Sequence, residues 1–347
     1  MRRILTAMSG GVDSAAACVL LRRAGYEVGG ATMLLRCGGE AEAEDARRAA
    51  VQIGVPFHLF AWQEEFQNNV IEPFTEVYRQ GGTPNPCIFC NKTMKFGLFL
   101  EQAMQLGYDG IATGHYCRLD RDTNGRYLLY RGRDESKDQS YMLYSLSQAQ
   151  LAHTLFPLGD LTKAEVRDLA AQCGLQVAAK HDSQDICFVP DGDYMGYLTA
   201  HGLVPQPGRF RDMQGRDFGP HKGYEAYTIG QRRGLEIAAG HRIYVVEKRD
   251  GDVIIGPGEA LFSSRVYVRD VNFIAFESLQ SPMQVQAKLR YTPRMADCVM
   301  HPWEHGVVLE FAQPQRAVTA GQAAVFYNGD VVIGGGTICT APDKTKQ

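Results

Sequence analysis

The sequence predicts an α/β domain built on a parallel sheet, followed by an all-β region that divides into two small modules near Ala260–Ser264. Three observations carry this. Apolar strand-like runs alternate with helix-period segments through the first half of the chain. After about Pro205, glycine and proline become frequent and short β-rich runs replace the helices. The composition, 45% hydrophobic and 22% charged over 347 residues, sets aside disordered and fibrous classes and suits two or three domains.

The elements follow in order. "RILTAM" reads as a strand and "DSAAACVLLRRAG" as a helix. "EVGGATMLL" and "FHLFAW" are strands on either side of the helix "AEAEDARRAAVQIG". "EEFQNNVIEPFTEVYRQ" is a long helix with Pro73 as a candidate kink. "MKFGLFLEQAMQLG" carries Phe96, Phe99, Leu100 and Ala103 at helical spacing, and "DGIAT" is a short buried strand. Asn124-Gly125 marks a hairpin turn within "CRLDRDTNGRYLLYRG". In "LTKAEVRDLAAQCG", Thr162 and Glu165 form a capping box and Gly174 fits the stop. The later runs "YVVEK", "DVIIG", "RVYVRDVNFIAF", "MQVQAKLRY", "GVVLEF" and "AAVFYNGDVVIGGG" read as strands.

No apolar run approaches the roughly 18 residues that would span a bilayer. The basic-then-apolar start "MRRILTAM" meets Ser9-Gly10-Gly11 and Asp13 too early for a signal peptide, so a cytoplasmic location and no membrane partner are expected. The net charge of −3 does not announce a nucleic-acid binder, although Pro205–Arg249 holds nine Lys/Arg against five Asp/Glu. Nine cysteines in such a chain should be mostly reduced. Cys18, Cys173, Cys298 and Cys339 fall in apolar stretches and read as packing residues. Cys87 and Cys90 stand in a Cys-x-x-Cys spacing within "TPNPCIFCN", which suits a metal site, a redox disulfide or a nucleophile with a helper.

"MSGGVDS", Met8 to Ser14, joins the first strand to the first helix. Its glycines let the backbone approach a ligand, and the helix N-terminus offers unpaired N–H groups to an anion. Ser9 and Ser14 add hydroxyl donors, and Asp13 could brace the loop or hold Mg²⁺. The loop is neither a Walker A sequence nor G-x-G-x-x-G. S-G-G-x-D-S after an N-terminal strand resembles the PP-loop of ATP pyrophosphatases, which split ATP to AMP and pyrophosphate to adenylate an oxygen.

Further stretches narrow the resemblance: "GGTPNPCIFCNKTMKF", "IATGHY", "KDQSYML", "DSQDICF", "YTIGQRRGL", "LRYTP" and "PQRAVTAGQAAVFYNGDVVIGGGTI". Together they are similar to the tRNA-specific 2-thiouridylases, from the first strand almost to the last residues. The resemblance implies a PP-loop (adenine nucleotide α-hydrolase-like) domain over 1–200, a central β-rich tRNA-contacting domain over 201–262 and a C-terminal β-barrel over 263–347. It implies ATP-dependent 2-thiolation of the tRNA wobble uridine, position 34. The C2 oxygen is adenylated, and a cysteine persulfide loaded by a sulfur-relay protein or cysteine desulfurase replaces it with sulfur. The tRNAs expected are those for glutamate, glutamine and lysine.

By position, Cys90 matches the family's nucleophile and Cys187 its persulfide carrier, and the two are expected to meet and to form a transient disulfide. Cys90, read as lying just before the helix of "NKTMKFGLFL", should gain thiolate character from that N-terminus, with Lys92 and Lys95 helping. The resemblance places ATP and Mg²⁺ at Ala7, Met8, Ser9, Gly10, Gly11, Val12, Asp13, Ser14, Met33 and Gly114. It maps tRNA contacts onto Asn85, Pro86, Cys87, His115, Lys137, Asp138, Gln139, Arg290, Tyr291 and Gln322. Cys87 departs from the pattern, standing where many relatives carry an Asp that acts as acid/base. As an accessory thiol it opens two alternatives to the metal-free relay: an iron–sulfur cluster on Cys87, Cys90 and Cys187, or a structural zinc. Another PP-loop adenylating synthetase is the remaining alternative, disfavoured by the lack of an ammonia-supplying domain.

Overall fold

The structure is a computed structural model and describes residues 1–175, 186–189, 192–292 and 294–341. Its first sheet is wholly parallel, in the order β3-β2-β1-β4-β7. The strands are β1 (Arg3–Ala7), β2 (Glu27–Leu34), β3 (Phe57–Ala61), β4 (Gly110–Ala112) and β7 (Thr154–Leu155). Continuous apolar runs on β1, β2 and β4 fit central strands covered on both faces. Helices α1 (Val12–Arg23) and α2 (Glu40–Ile53) pack beside them through Val12, Ala15, Cys18, Ala46, Ala49 and Ala50. Gly54 ends α2 in the left-handed conformation at φ 77°, which only a residue without Cβ adopts at little cost.

Two longer helical runs widen locally. Residues 63–79 pass through a π-turn, Gln67–Ile71, immediately before the segment containing Pro73. The proline has no N–H to return to the helix, and the wider turn takes up the mismatch in place of a break. Residues 86–105 begin at Pro86, capped by the Asn85 side chain, and pass through a π-segment at Cys90–Leu98. The helix Lys163–Gln172 starts with the expected capping box of Thr162 and Glu165.

The second sheet, in the order β10-β11-β8-β9, comprises β8 (Gly208–Asp212), β9 (Asp217–His221), β10 (Tyr244–Arg249) and β11 (Asp252–Gly256). Phe210, Tyr227, Val245, Val253 and Ile255 form its small core. The third is a closed antiparallel barrel of β12 (Phe262–Phe273), β13 (Met283–Lys288), β14 (Ala296–Trp303), β15 (Gly306–Arg316), β16 (Ala323–Asn328) and β17 (Val331–Cys339). Pairing of β12 with both β15 and β17 completes the ring and removes its edges.

The hairpin β5 (Cys117–Arg121) and β6 (Tyr127–Arg131) turns at Gly125, φ 84°. It does not stay with the first domain: β6 pairs with β17 through Tyr130 and Val331, extending the barrel sheet. One hydrophobic core therefore runs through both, joining Leu129, Tyr141 and Leu143 to Val325, Tyr327 and Val332. At its edge the Lys288 ammonium sits 3.1 Å from the Asp138 carboxylate, with side-chain exposures of 3% and 1%. The other Asp138 oxygen accepts hydrogen bonds from the Gly132 and Ser140 amides. Removing one partner of such a pair leaves a buried charge unmatched. Asp138→Ala should therefore cost about 3–5 kcal/mol, read as a lower thermal midpoint and faster proteolysis between the first domain and the barrel.

Candidate active site

β2 lies on one side of β1 and β4 on the other, so the chain reverses direction across the sheet at β1. Ligands of open parallel sheets bind in the crevice at the carboxyl ends of strands flanking such a point. The loops after β1 and β4 meet there. A Cβ on Gly114 would lie 2.9 Å from both the Asp13 carbonyl carbon and the Ser14 amide nitrogen. Gly10, at φ 70°, is equally confined: a Cβ would come within 2.6 Å of the Glu42 carbonyl oxygen on α2.

Between these contacts the phosphate-loop backbone is held open. Gly11 caps α1 with no side-chain hydrogen bond, which leaves first-turn amides available to an anion. Ser14 Oγ donates to the Gly11 carbonyl at 3.1 Å and accepts from the Ser9 amide at 3.2 Å, so this hydroxyl shapes the loop and is not the spare donor expected of it. Met8 and Val12 are buried in the core and can meet a ligand only through their backbone. Ala7 and Ser9 flank the loop's open side.

Asp13 braces the loop. Both its oxygens accept from the Lys163 ammonium at 2.8 Å, and one accepts from the Tyr116 hydroxyl at 2.7 Å. Sequence reasoning missed Lys163 and Tyr116. Lys163 was hidden in a stretch read only for its capping box, and Tyr116 closes the "TGHY" motif whose His drew the attention.

Met33, near the end of β2, packs against two hydrophobic clusters, and one of them contains Cys90, Phe188 and Val189. Beyond it lies a recess lined by thiols. Cys87 and Cys187 are exposed and Cys90 is half-buried. Cys187 comes near enough to Cys90 and to Cys87 for charge on one thiol to disfavour charge on the other. Of the stretch "DSQDICF", Asp182–Asp185 lie outside the described residues.

The expected activation of Cys90 by a helix N-terminus is overturned. The helix begins four residues earlier, at Pro86, and Cys90 lies inside it at the start of the π-segment. Burial pushes its thiol up to about 12, outweighing the lowering by Lys95. Desolvation by the protein around them also raises Cys87 and Cys187, although both thiols keep an exposed side. Cys87, on the first turn, is the thiol nearest that N-terminus, and the Asn85 side chain accepts its amide at 3.1 Å. His115 is buried between the rings of Phe96 and Phe156 and hydrogen-bonded to the Thr113 hydroxyl at 2.7 Å. Burial, with Lys95 nearby, holds its imidazole well below its usual range, hence neutral.

The barrel forms the far wall. Tyr291 is 50% exposed, stacks near Tyr141 and faces Cys87. Arg290 donates to the Arg316 and Ala317 carbonyls. Gln322 donates to the Thr83 carbonyl at 2.7 Å, and the Thr83 amide donates to Ala320, which fixes the strand leading to Asn85 and the buried Pro86. Lys137 is half-buried, and Gln139 accepts from the Tyr116 amide at 3.1 Å. Asp138 is a correction: its carboxylate is sealed against Lys288 and does not face solvent, so only its backbone can meet an RNA.

Among the described residues no group of three or more His, Cys, Asp or Glu side chains is placed to hold a metal ion. The three cysteines therefore form no ready ligand set for a cluster, and Asp13 is already matched by Lys163.

The family models that match are "tRNA methyl transferase HUP domain" over residues 2–191, "tRNA methyl transferase PRC-barrel domain" over 197–257 and "Aminomethyltransferase beta-barrel domain" over 263–338. A relative from Moorella thermoacetica, named tRNA-specific 2-thiouridylase MnmA, is 47% identical over 351 residues, 96% of this chain and 98% of its own. Those from Heliobacterium modesticaldum and Clostridium acetobutylicum, of the same name, are 46% and 43% identical, across 92% and 99% of their lengths. The chain belongs to the tRNA-specific 2-thiouridylase family. In this 2-thiouridylase family member, the parallel sheet, the small middle sheet and the barrel coincide with the three matched segments. No helix among the described residues is long and apolar enough to cross a membrane.

Two measurements test the site. Gly114→Ala should push the β4 loop off α1, costing about 1–3 kcal/mol and weakening ATP binding about tenfold, by calorimetry. Iodoacetamide labelling followed cysteine by cysteine should find Cys90 slower than its neighbours Cys87 and Cys187, its rate still climbing as pH passes about 9; a plateau there would contradict the burial argument.

Proposed function

We propose that the protein forms 2-thiouridine in tRNA, at the wobble position 34, in an ATP-dependent reaction. What supports this reading is Met33, which packs against one cluster shared with Ala7 at the head of the phosphate loop and against another shared with Cys90. Methyl transfer, which two of the matched descriptions name, gives no role to Cys90 and Cys187. A non-thiolating PP-loop synthetase leaves them equally idle.

The loop from Ala7 to Ser14 receives the phosphates on the α1 amides, with Gly114 closing the crevice and Met33 beside the adenine. The C2 oxygen of uridine attacks the α-phosphorus of ATP and pyrophosphate leaves, which turns a poor leaving group into AMP. The terminal sulfur of a persulfide on Cys187 then bonds to C2, the C2–O bond breaks, and AMP departs with the electron pair. The Cys90 thiolate attacks the Cys187 sulfur and the S–S bond to the transferred atom breaks. That atom keeps the electron pair and becomes the thiocarbonyl sulfur once N3 takes up a proton. A Cys90–Cys187 disulfide remains, and a thiol reductant must reopen it before a sulfur-relay protein or cysteine desulfurase reloads Cys187.

The residues divide the work accordingly. Asn85, Pro86 and Cys87 border the target base, with neutral His115 behind them and Tyr291 offering a ring opposite. Lys137, Gln139 and Arg290 meet the RNA, whereas Asp138 and Gln322 hold the backbone that does so. Cys87, with its raised thiol, is a poor substitute for a carboxylate base and serves as an accessory thiol. Magnesium would travel with the nucleotide's phosphates, because Lys163 already occupies the Asp13 carboxylate. An iron–sulfur cluster is not supported by the described side chains. The glutamate, glutamine and lysine tRNAs are the proposed substrates and the cytoplasm the proposed location.

Incubation of tRNA with ATP·Mg²⁺ and a persulfide donor, followed by nucleoside mass spectrometry, should yield 2-thiouridine. Cys90→Ser and Cys187→Ser should each abolish it; undiminished product from both would refute the relay. Asp13→Ala should stop pyrophosphate release while tRNA binding persists.

A further inference from the structure

Lys95 is a half-buried cation on the wall of the thiol recess that the relay leaves unused. Its ammonium acts by charge on Cys87, Cys90, Cys187 and His115 alike. Arg36 also reaches Cys187, but it is bound to Glu42 at 2.7 Å. Among the described residues Lys95 has no hydrogen-bond or ion-pair partner. Among the described residues the other titratable groups within range of these thiols are Tyr291, for Cys87, and Tyr197, for Cys187; both carry raised hydroxyls and neither is an anion. Among the described residues no anion matches that charge, and an unmatched, partly buried cation is costly unless an anion arrives.

Helix geometry explains how it comes to be there. In an α-helix, positions 90 and 95 would point about 140° apart. The π-segment Cys90–Leu98 closes its turns on the fifth residue, which stacks Lys95 over Cys90 on one face. Such wide turns are unfavourable in themselves and recur at functional sites. Here the widening has a specific product, an ammonium on the Cys90 face of the helix with Cys187 in range of its charge.

We propose that Lys95 is the positioning cation of sulfur transfer. It holds the anionic persulfide sulfur on Cys187 during attack on C2, and then the Cys90 thiolate during attack on Cys187. Lys95 stays protonated throughout, forming and breaking no bond. The inference rests on the thiolation reading for the identity of the anion, but not for the charge itself. It also gives the buried thiols a source of ionisation now that the helix N-terminus is excluded. Opposite charge within a few ångströms favours the anion by roughly one pH unit or more.

The test uses the full chain with Lys95→Met, which keeps the stem and removes the charge, and Lys95→Arg, which restores it. Alkylation of each cysteine is followed against pH by mass spectrometry, without tRNA or ATP. Lys95→Met should shift Cys90 and Cys187 upward by about one pH unit, about tenfold slower labelling at fixed pH. Cys173, at the other end of α1, should not change, and Lys95→Arg should return the wild-type profile. Single-turnover thiolation from persulfide-loaded protein should fall in parallel. Superimposable profiles for Lys95→Met and wild type would overturn the proposal whatever thiolation does, as would an equal shift at Cys173. A selective shift in a protein whose wild type makes no 2-thiouridine would uphold Lys95 and sink the thiolation reading instead.

Discussion

The arrangement of this crevice depends on one close approach, the backbone of Gly114 against that of Asp13 and Ser14. It joins the loop after β4 to the start of α1, so that the two sides of the sheet's reversal share a wall. From there the chain runs through His115 and Tyr116, and Tyr116 reaches back to hold Asp13. Lys163 closes the same carboxylate from another helix. Two separate segments thus set the phosphate loop before any nucleotide arrives, which is the condition for electrostatic stabilisation without reorganisation.

The thiols show the opposite logic. Apolar packing around Cys90 holds it protonated in the free protein, and burial keeps His115 neutral beside it. A protonated thiol is a poor nucleophile and a poor target for oxidants. The cost is low resting reactivity; the gain is that charge develops only when an anion is brought to the recess. Desolvation and a single facing ammonium oppose each other there, and desolvation wins in the resting state.

Much of the architecture was legible because it is written in local pattern. The strand–helix alternation, the capping box at Thr162 and the turn at Asn124-Gly125 are determined by neighbours in sequence, and the structure keeps them. What escaped depends on distant partners. β8 and β9, with "GRFRD" and "DFGPH", lack apolar alternation; β8 is held by pairing with the distant β11, and β9 by pairing with β8. The motif "KDQ" marks Asp138 but does not tell that Lys288 will bury it. Cys90 was legible as a reactive position, while its protonation depended on where the helix began and on what packed over it. The pairing of Cys90 with Cys187 is an expectation from family likeness; no spacing in the sequence suggests it.

The hairpin β5–β6 bears on how the chain is made. Its partner β17 is synthesised long after it, yet Leu129, Tyr141 and Leu143 of the first domain find their covering side chains on β16 and β17. A nascent chain that has finished its phosphate loop therefore still exposes an apolar face. Long-range pairing of this kind is slow and leaves such faces open to wrong partners. The first domain is in this way tied to completion of the barrel: a ribosome that stops short of it releases a phosphate-loop fold with its inner wall missing.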